Sequence, residues 1–454
     1  MLNNRITSVL PNMNFSKAAF PKKVKSAVNS SVSMPSNLKT PNSENLKAYI
    51  PSFNAAKTKP EKLTPQQQLN VVMSKLDRDS LKRIENLDRR GILLDKSSND
   101  GSTVLDNMYK IATEPRIKGL SDKLILAEVI KALDNPYSIT QKFGDIPIPV
   151  ARDIARETGK EFPNSALNIT SSSCVVASME FNLAEKTPAE FVRFAQGLSG
   201  ADYCVDKKVQ MSSISDSFTS GIWMLREFET DCTLSKNWED ITVKIRPDRN
   251  AIVRARVQTS YKDPGERSCV DVLIQSALLN LGSQNSYNAL IDERQGKFNP
   301  DKSGLTDFEK NFVEEIVFDK PKISVVYQNL DENGKLIGYN CDLSEMKQHI
   351  LSSLKNGQNV IIGYTHLNKD NVVEGGHEIT ITDYITDENG REMFICNDTD
   401  DNIDRPIKKP VDELLPLIHH AGIMKNALNE NDVVVEPWRE ILSQYQQLIN
   451  NGQQ

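Results

Sequence analysis

Thr170-Ser171-Ser172-Ser173-Cys174-Val175-Val176-Ala177-Ser178-Met179-Glu180-Phe181 puts three serines ahead of a cysteine, with apolar residues at helical spacing behind it (Val175, Val176, Met179, Leu183). Serine is a favoured N-cap residue, so the pattern predicts a buried helix starting at or just before Cys174. A thiol there would meet the positive end of the helix dipole and unpaired N–H groups, and both favour the thiolate. Cysteines on apolar helices are more often inert packing residues. The stretch therefore reads as chemistry only if a base can be found for it.

The five histidines, His349, His366, His377, His419 and His420, make that a short search. Val360-Ile361-Ile362-Gly363-Tyr364 reads as a buried strand, Gly375 to Tyr384 as a second, and Met393 to Asp398 as a third. The second and third are joined by a turn at Asp387-Glu388-Asn389-Gly390. Counting outward from that turn, His377 at the start of one strand meets Asn397 or Asp398 at the end of the other. A histidine held beside an amide or carboxylate is an oriented general base, and Gly376 leaves room for another chain to approach.

These residues resemble the papain-like cysteine peptidases, and among them most of all the calpain-type catalytic core. Cys174 at a helix start is similar to that family's nucleophile. Gly376-His377, with Tyr384 seven positions on, resembles its Gly-His strand, and the return strand ending at Asn397 resembles its Asn strand. Between them, the helix from Cys269 to Gly282 followed by Ser286-Tyr287-Asn288-Ala289-Leu290 is similar to the calpain segment ending in Gly-Ser-Tyr-Glu-Ala-Leu. The resemblance covers about 150–405 and implies a thiol hydrolase, a cysteine endopeptidase foremost. It assigns Cys174 as nucleophile, His377 as base, Asn397 as orienter and Asn168 as oxyanion-hole donor. Symmetric lengthening of the family's hairpin favours Asn397, whereas a bulge would favour Asp398, and C39-type peptidases carry an Asp at this place. The chain departs from the family in lacking the Trp after the cysteine and the Trp after the Asn, and Asn168 replaces a Gln. The alternative is a catalytically inactive papain-like module that binds a peptide or protein.

Competing residues have weaker settings. Cys269 also opens an apolar helix after a serine, but in the stretch that resembles the family's middle helix. His366 falls in a loop, and His419 and His420 fall in a helix expected within 406–424, in capping or surface roles.

The 454 residues allow two or three domains. Residues 1–62 carry ten Lys/Arg against two Glu, a balance of +8 that leaves the remainder at −14 of the net −6. This stretch, rich in Ser, Asn and Pro, reads as a disordered basic tail over 1–63. Helical patterns over 64–145 form a small all-α unit, with Thr64-Pro65 as cap and first position and Gly91 closing the second helix. The papain-like domain is expected over 146–430, followed by a C-terminal helix within 431–454. Inside that domain Val243 to Val257 reads as a hairpin about Pro247-Asp248-Arg249-Asn250. Residues 299–310 only glance at a calcium loop, because Lys310 stands where a bidentate Glu is required.

The fold class is thus α+β. A papain-like two-part domain, helical part plus antiparallel β part, follows the all-α unit and the tail. Six scattered cysteines (174, 204, 232, 269, 341, 396) without a CxxC pair argue against a zinc cage or disulfide framework and fit reduced thiols in a cytoplasmic setting, with non-classical secretion left open. There is no Walker A loop, GxGxxG or HExxH, so no cofactor or metal is expected. Aromatic residues among the basic ones are too few for a nucleic-acid platform, and no apolar run reaches a membrane span. The expected partner is a peptide or protein substrate. The sequence leaves the oligomeric state open.

Overall fold

Thr64 opens the first helix through a reciprocal capping box: its hydroxyl accepts from the Gln67 N–H, and Gln67 Oε1 accepts from the Thr64 N–H. Pro65 follows at the first helical position, where its missing N–H costs nothing. The computed structural model describes residues 63–142, 148–159, 171–258, 267–290, 292–298, 304–401 and 403–435. The expected basic tail up to residue 62, the helix expected at the C-terminus and Asn168 lie outside these residues, as do residues 299–303 of the calcium-like loop.

Four helices, α1 (Pro65–Met73), α2 (Arg78–Arg89), α3 (Val104–Thr113) and α4 (Asp122–Asp134), occupy the N-terminal region. Gly91 takes a φ of 77° past the end of α2, a conformation without penalty for a residue that has no Cβ. Then come α5 (Ile148–Thr158), α6 (Cys174–Lys186) and α7 (Pro188–Ser199). Ile84, Met108 and Val129 of the first four helices share one apolar core with Met179 of α6, Phe191 of α7 and residues farther on. Packing is therefore continuous across the boundary expected near residue 145.

A small antiparallel sheet, in the order β1 (Val205–Gln210), β3 (Asp240–Ile245), β2 (Cys232–Leu234), carries α8 (Met211–Ile214) and α9 (Phe218–Glu227) between β1 and β2. The hairpin expected at 243–257 is corrected here, since β3 is followed by a helix, α10 (Arg249–Gln258). The Asp248 carboxylate accepts from the N–H groups of Asn250 and Ala251 and starts that helix. Ala251, Arg254 and Ala255 then form its buried face at i, i+3, i+4 spacing. Helix α11 (Cys269–Gly282) is buried along its whole length behind a Ser268/Asp271 capping box. Helix α12 (Asp307–Phe318) opens on the expected Thr306/Glu309 box.

A second core lies in a six-stranded antiparallel sheet. Its strands are β4 (Lys322–Val326), β7 (Val360–Leu367), β8 (Val373–Thr386), β9 (Glu392–Asn397), β10 (Ile407–Pro410) and β11 (Ile418–Met424), in the order β10-β9-β8-β7-β11-β4. Strands β5 (Gln328–Leu330) and β6 (Leu336–Tyr339) form a side hairpin, and α13 (Leu343–Lys355) covers the sheet with Met346 and Ile350. The helix expected within 406–424 is instead strand β10, one short helical turn α14 (Val411–Leu414) and strand β11. Pro416 interrupts any helix there. Strand β11 lies between β7 and β4 and is buried on both faces, so its run lacks the apolar-polar alternation that marks a half-buried strand. The chain is thus a mixed α+β protein with antiparallel sheets, and among the described residues no helix is long and apolar enough to cross a membrane. Helix α6 packs on β7 and β8, which brings the cysteine helix against the histidine strand.

Gly363, in the middle of β7, has a specific reason to be glycine. A Cβ there would overlap the ring of His420 and come 2.8 Å from Glu378 Oε1. Gly363→Ala is expected to destabilise the fold by about 1–3 kcal/mol through overpacking. The measurement is a lower denaturant midpoint at unchanged m.

Candidate active site

The serines before Cys174 do not cap its helix through their side chains. Ser173 makes no side-chain capping bond to α6, so the first-turn N–H groups beside the thiol are not taken up by a side-chain cap. The serines anchor the loop instead. The Ser172 N–H donates to Asp292 Oδ2 at 3.0 Å, and its hydroxyl donates to the Asp292 carbonyl at 2.8 Å. Arg267 Nη2 donates to the hydroxyls of Ser171 (2.8 Å) and Ser173 (2.7 Å). The Ser173 hydroxyl also donates to Gln275 Oε1 on α11 at 3.2 Å. Cys174 therefore sits at an uncapped helix start whose approach is fixed by buried side chains.

His377 faces it from β8, paired in register with Tyr364 of β7. Its Nε2 lies 2.7 Å from Asp398 Oδ1, and Cys174 is near enough to raise the basicity of the ring. An ionised carboxylate only accepts, so Nε2 carries a proton and Nδ1 is the nitrogen left for sulfur. Burial alone would lower the basicity of His377. The Asp398 bond and then the Cys174 contact outweigh it and push the pKa up to about 10. In turn His377 holds Asp398 below the usual carboxylate range, against the opposing effect of burial. The Tyr364 ring stands edge-on to His377 at 5.8 Å, and burial followed by the Asp398 charge pushes its hydroxyl up to about 12.

Asp398, not Asn397, bonds the histidine, and the cause is local. Strands β8 and β9 pair Ile381 with Cys396 but Asp383 with Ile395, so Thr382 is an extra residue, a bulge that shifts the register by one. Asn397 is left opposite Thr380, 2% exposed, and its Nδ2 has no hydrogen-bond partner among the described residues. Cys269 is fully buried, bonds the Ala255 carbonyl, and is pushed well above the ordinary thiol range by burial. Burial also raises Cys204, Cys232, Cys341 and Cys396. All six cysteines are free. His366 is exposed on β7, and His419 and His420 lie on β11, not on a helix.

One residue with no sequence signal ties the two halves together. Arg267 Nη2, besides holding Ser171 and Ser173, donates to the Gln141 carbonyl. Gln141 in turn grips the residue after Asp398: its N–H donates to the Thr399 carbonyl at 3.0 Å, and its Oε1 accepts from the Thr399 hydroxyl at 2.8 Å. The same guanidinium thus sets the loop before Cys174 and, through Gln141, the loop that carries Asp398. Arg267 is 2% exposed. Arg267→Met is expected to destabilise the protein by about 3–5 kcal/mol, since it strips hydrogen-bonded and charged partners in a buried site, measurable as a fall in the chemical unfolding midpoint. No family model, no curated protein and no solved structure matches the chain.

Proposed function

We propose that this protein is a thiol hydrolase of papain-like fold, acting as a cysteine endopeptidase through Cys174, His377 and Asp398. The observation that carries this reading is that His377 hydrogen-bonds Asp398 and has its basicity raised by Cys174 beside it. A helical core bearing the cysteine and a sheet core bearing the histidine support the papain-like part of it.

In this reading the Cys174 sulfur attacks a peptide carbonyl carbon, and the resulting oxyanion is stabilised by N–H groups at the uncapped start of α6. The His377 imidazolium gives its Nδ1 proton to the leaving amine as the C–N bond breaks, which leaves a thioester on Cys174. The neutral ring then takes a proton from water. The hydroxide adds to the thioester, and the thiolate leaves as the carboxylic acid forms. Asp398 keeps Nε2 protonated throughout and so keeps Nδ1 aimed at the sulfur.

The pH dependence has a definite sign. The active pair needs protonated His377, whose pKa is raised from 6.5 to about 10, so kcat/KM is expected to fall on the alkaline side near pH 10 and not near 6.5. The stability this proton contributes is likewise fully present below 6.5 and lost as the pH rises to about 10. Asp398→Asn should move the alkaline limb down. The direct test is incubation with a denatured protein and mass-spectrometric mapping of new termini. Cleavage by the wild type and none by Cys174→Ala supports the reading, and cleavage that persists in Cys174→Ala overturns it.

A further inference from the structure

His419 and His420 on β11 and Asp307 at the first turn of α12 form one cluster. One ring nitrogen of each histidine and one carboxylate oxygen of Asp307 lie within 4.8 Å of one another. The two Nδ1 atoms are 2.9 Å apart, and His420 Nδ1 is 3.2 Å from Asp307 Oδ1. Ligand atoms about 2.0–2.1 Å from a tetrahedral zinc are separated by about 3.3 Å, so both spacings are close to a coordination edge.

A second observation points the same way. His420 Nε2 lies 2.6 Å from Glu378 Oε1, and the other oxygen of Glu378 meets Lys310 Nζ at 3.2 Å. A carboxylate paired with lysine accepts only, so Glu378 engages the ring through Nε2–H, and His420 Nδ1 is the nitrogen that faces Asp307 and His419. A metal ion at this point would take one donor atom from each of Asp307, His419 and His420. A carboxylate on the far nitrogen of a ligating histidine is the outer-shell arrangement that fixes tautomer and ring orientation.

We propose that Asp307, His419 and His420 bind a divalent transition metal of the zinc class, with Glu378 as the outer-shell partner of His420. Two imidazoles and a carboxylate suit zinc, cobalt or nickel better than calcium or magnesium. His377 and Glu378 are consecutive on β8 and project to opposite faces of the sheet, so this site is separate from Cys174 and His377 and stands whether or not the chain is a peptidase. Its ion would staple the start of α12 to β11. A second cluster, Glu345, His349 and Asp432, brings only one imidazole and serves as the control.

The test uses the full chain as Cys174→Ser, so that the thiol takes no part. Calorimetric titration with Zn²⁺ and visible spectroscopy with Co²⁺ are the readouts. Expected are one saturable equivalent and Co²⁺ bands without thiolate charge transfer. Asp307→Asn and His419→Ala should each weaken binding by about tenfold or more, and Asp432→Asn should not. Zn²⁺ should raise the melting temperature of the parent but not of Asp307→Asn, whose near-isosteric change at a helix start keeps the fold even if His419→Ala does not. No saturable binding, binding unchanged in Asp307→Asn, or loss confined to Asp432→Asn overturns the assignment.

Discussion

Replacing Cys174 by alanine is expected to lower amide hydrolysis by about 10⁴-fold or more, because a group that acts as nucleophile has no substitute among its neighbours. The other five thiols are all pushed up by burial, which keeps them in the unreactive form. The change should barely touch stability. Cys174 is half-buried at a helix start, and that start is held by Ser171, Ser172 and Ser173 through Arg267 and Asp292, not by the thiol. Parallel measurement of turnover and unfolding midpoint separates the two effects. A loss of activity that tracks a loss of fold would point away from a nucleophile.

Asp398→Asn is expected to cost on the order of 10²–10⁴ in kcat with KM nearly unchanged. An asparagine can present its NH₂ to the ring and reverse the tautomer, and it removes the charge that holds the His377 proton. Asn397→Ala is the informative comparison. Asn397 is buried against Thr380 and does not bond the histidine, so its loss should act on stability and leave kcat within a few-fold. Steady-state kinetics of the two variants side by side distinguish them. Equal losses in kcat would mean that the orienting role is shared.

The hairpin that carries His377 was legible because its turn residues and its alternating apolar positions agree. The partner of the histidine was not, because one bulge residue, Thr382, shifts every pairing beyond it, and threonine is an ordinary strand residue with no mark of a bulge. The helix of Cys174 was legible from its spacing, but the role of the three serines was inverted. They look like caps, yet Ser171 and Ser173 accept from Arg267 and Ser172 bonds Asp292, both far along the chain. Arg267, Gln141 and Thr399 have no local pattern at all, since their link exists only once α4, α11 and β9 are in place. Two elements were misread for opposite reasons. The alternation of Ala251, Val253, Ala255 and Val257 imitates a strand, yet Asp248 caps a helix there. The apolar run into His419 and His420 imitates a helix, yet burial between two strands makes it β11, and this brings the two imidazoles to Asp307.

The measurement that bears most directly on the Cys174–His377–Asp398 site is the rate of Cys174 alkylation by iodoacetamide from about pH 4 to about pH 9, with the adduct located by mass spectrometry and His377→Ala run in parallel. Selective labelling of Cys174 ahead of the other five thiols, abolished in His377→Ala, is the expected result. Slow labelling of Cys174 that is indifferent to His377 would contradict a thiolate–imidazolium pair and leave the chain a binding module.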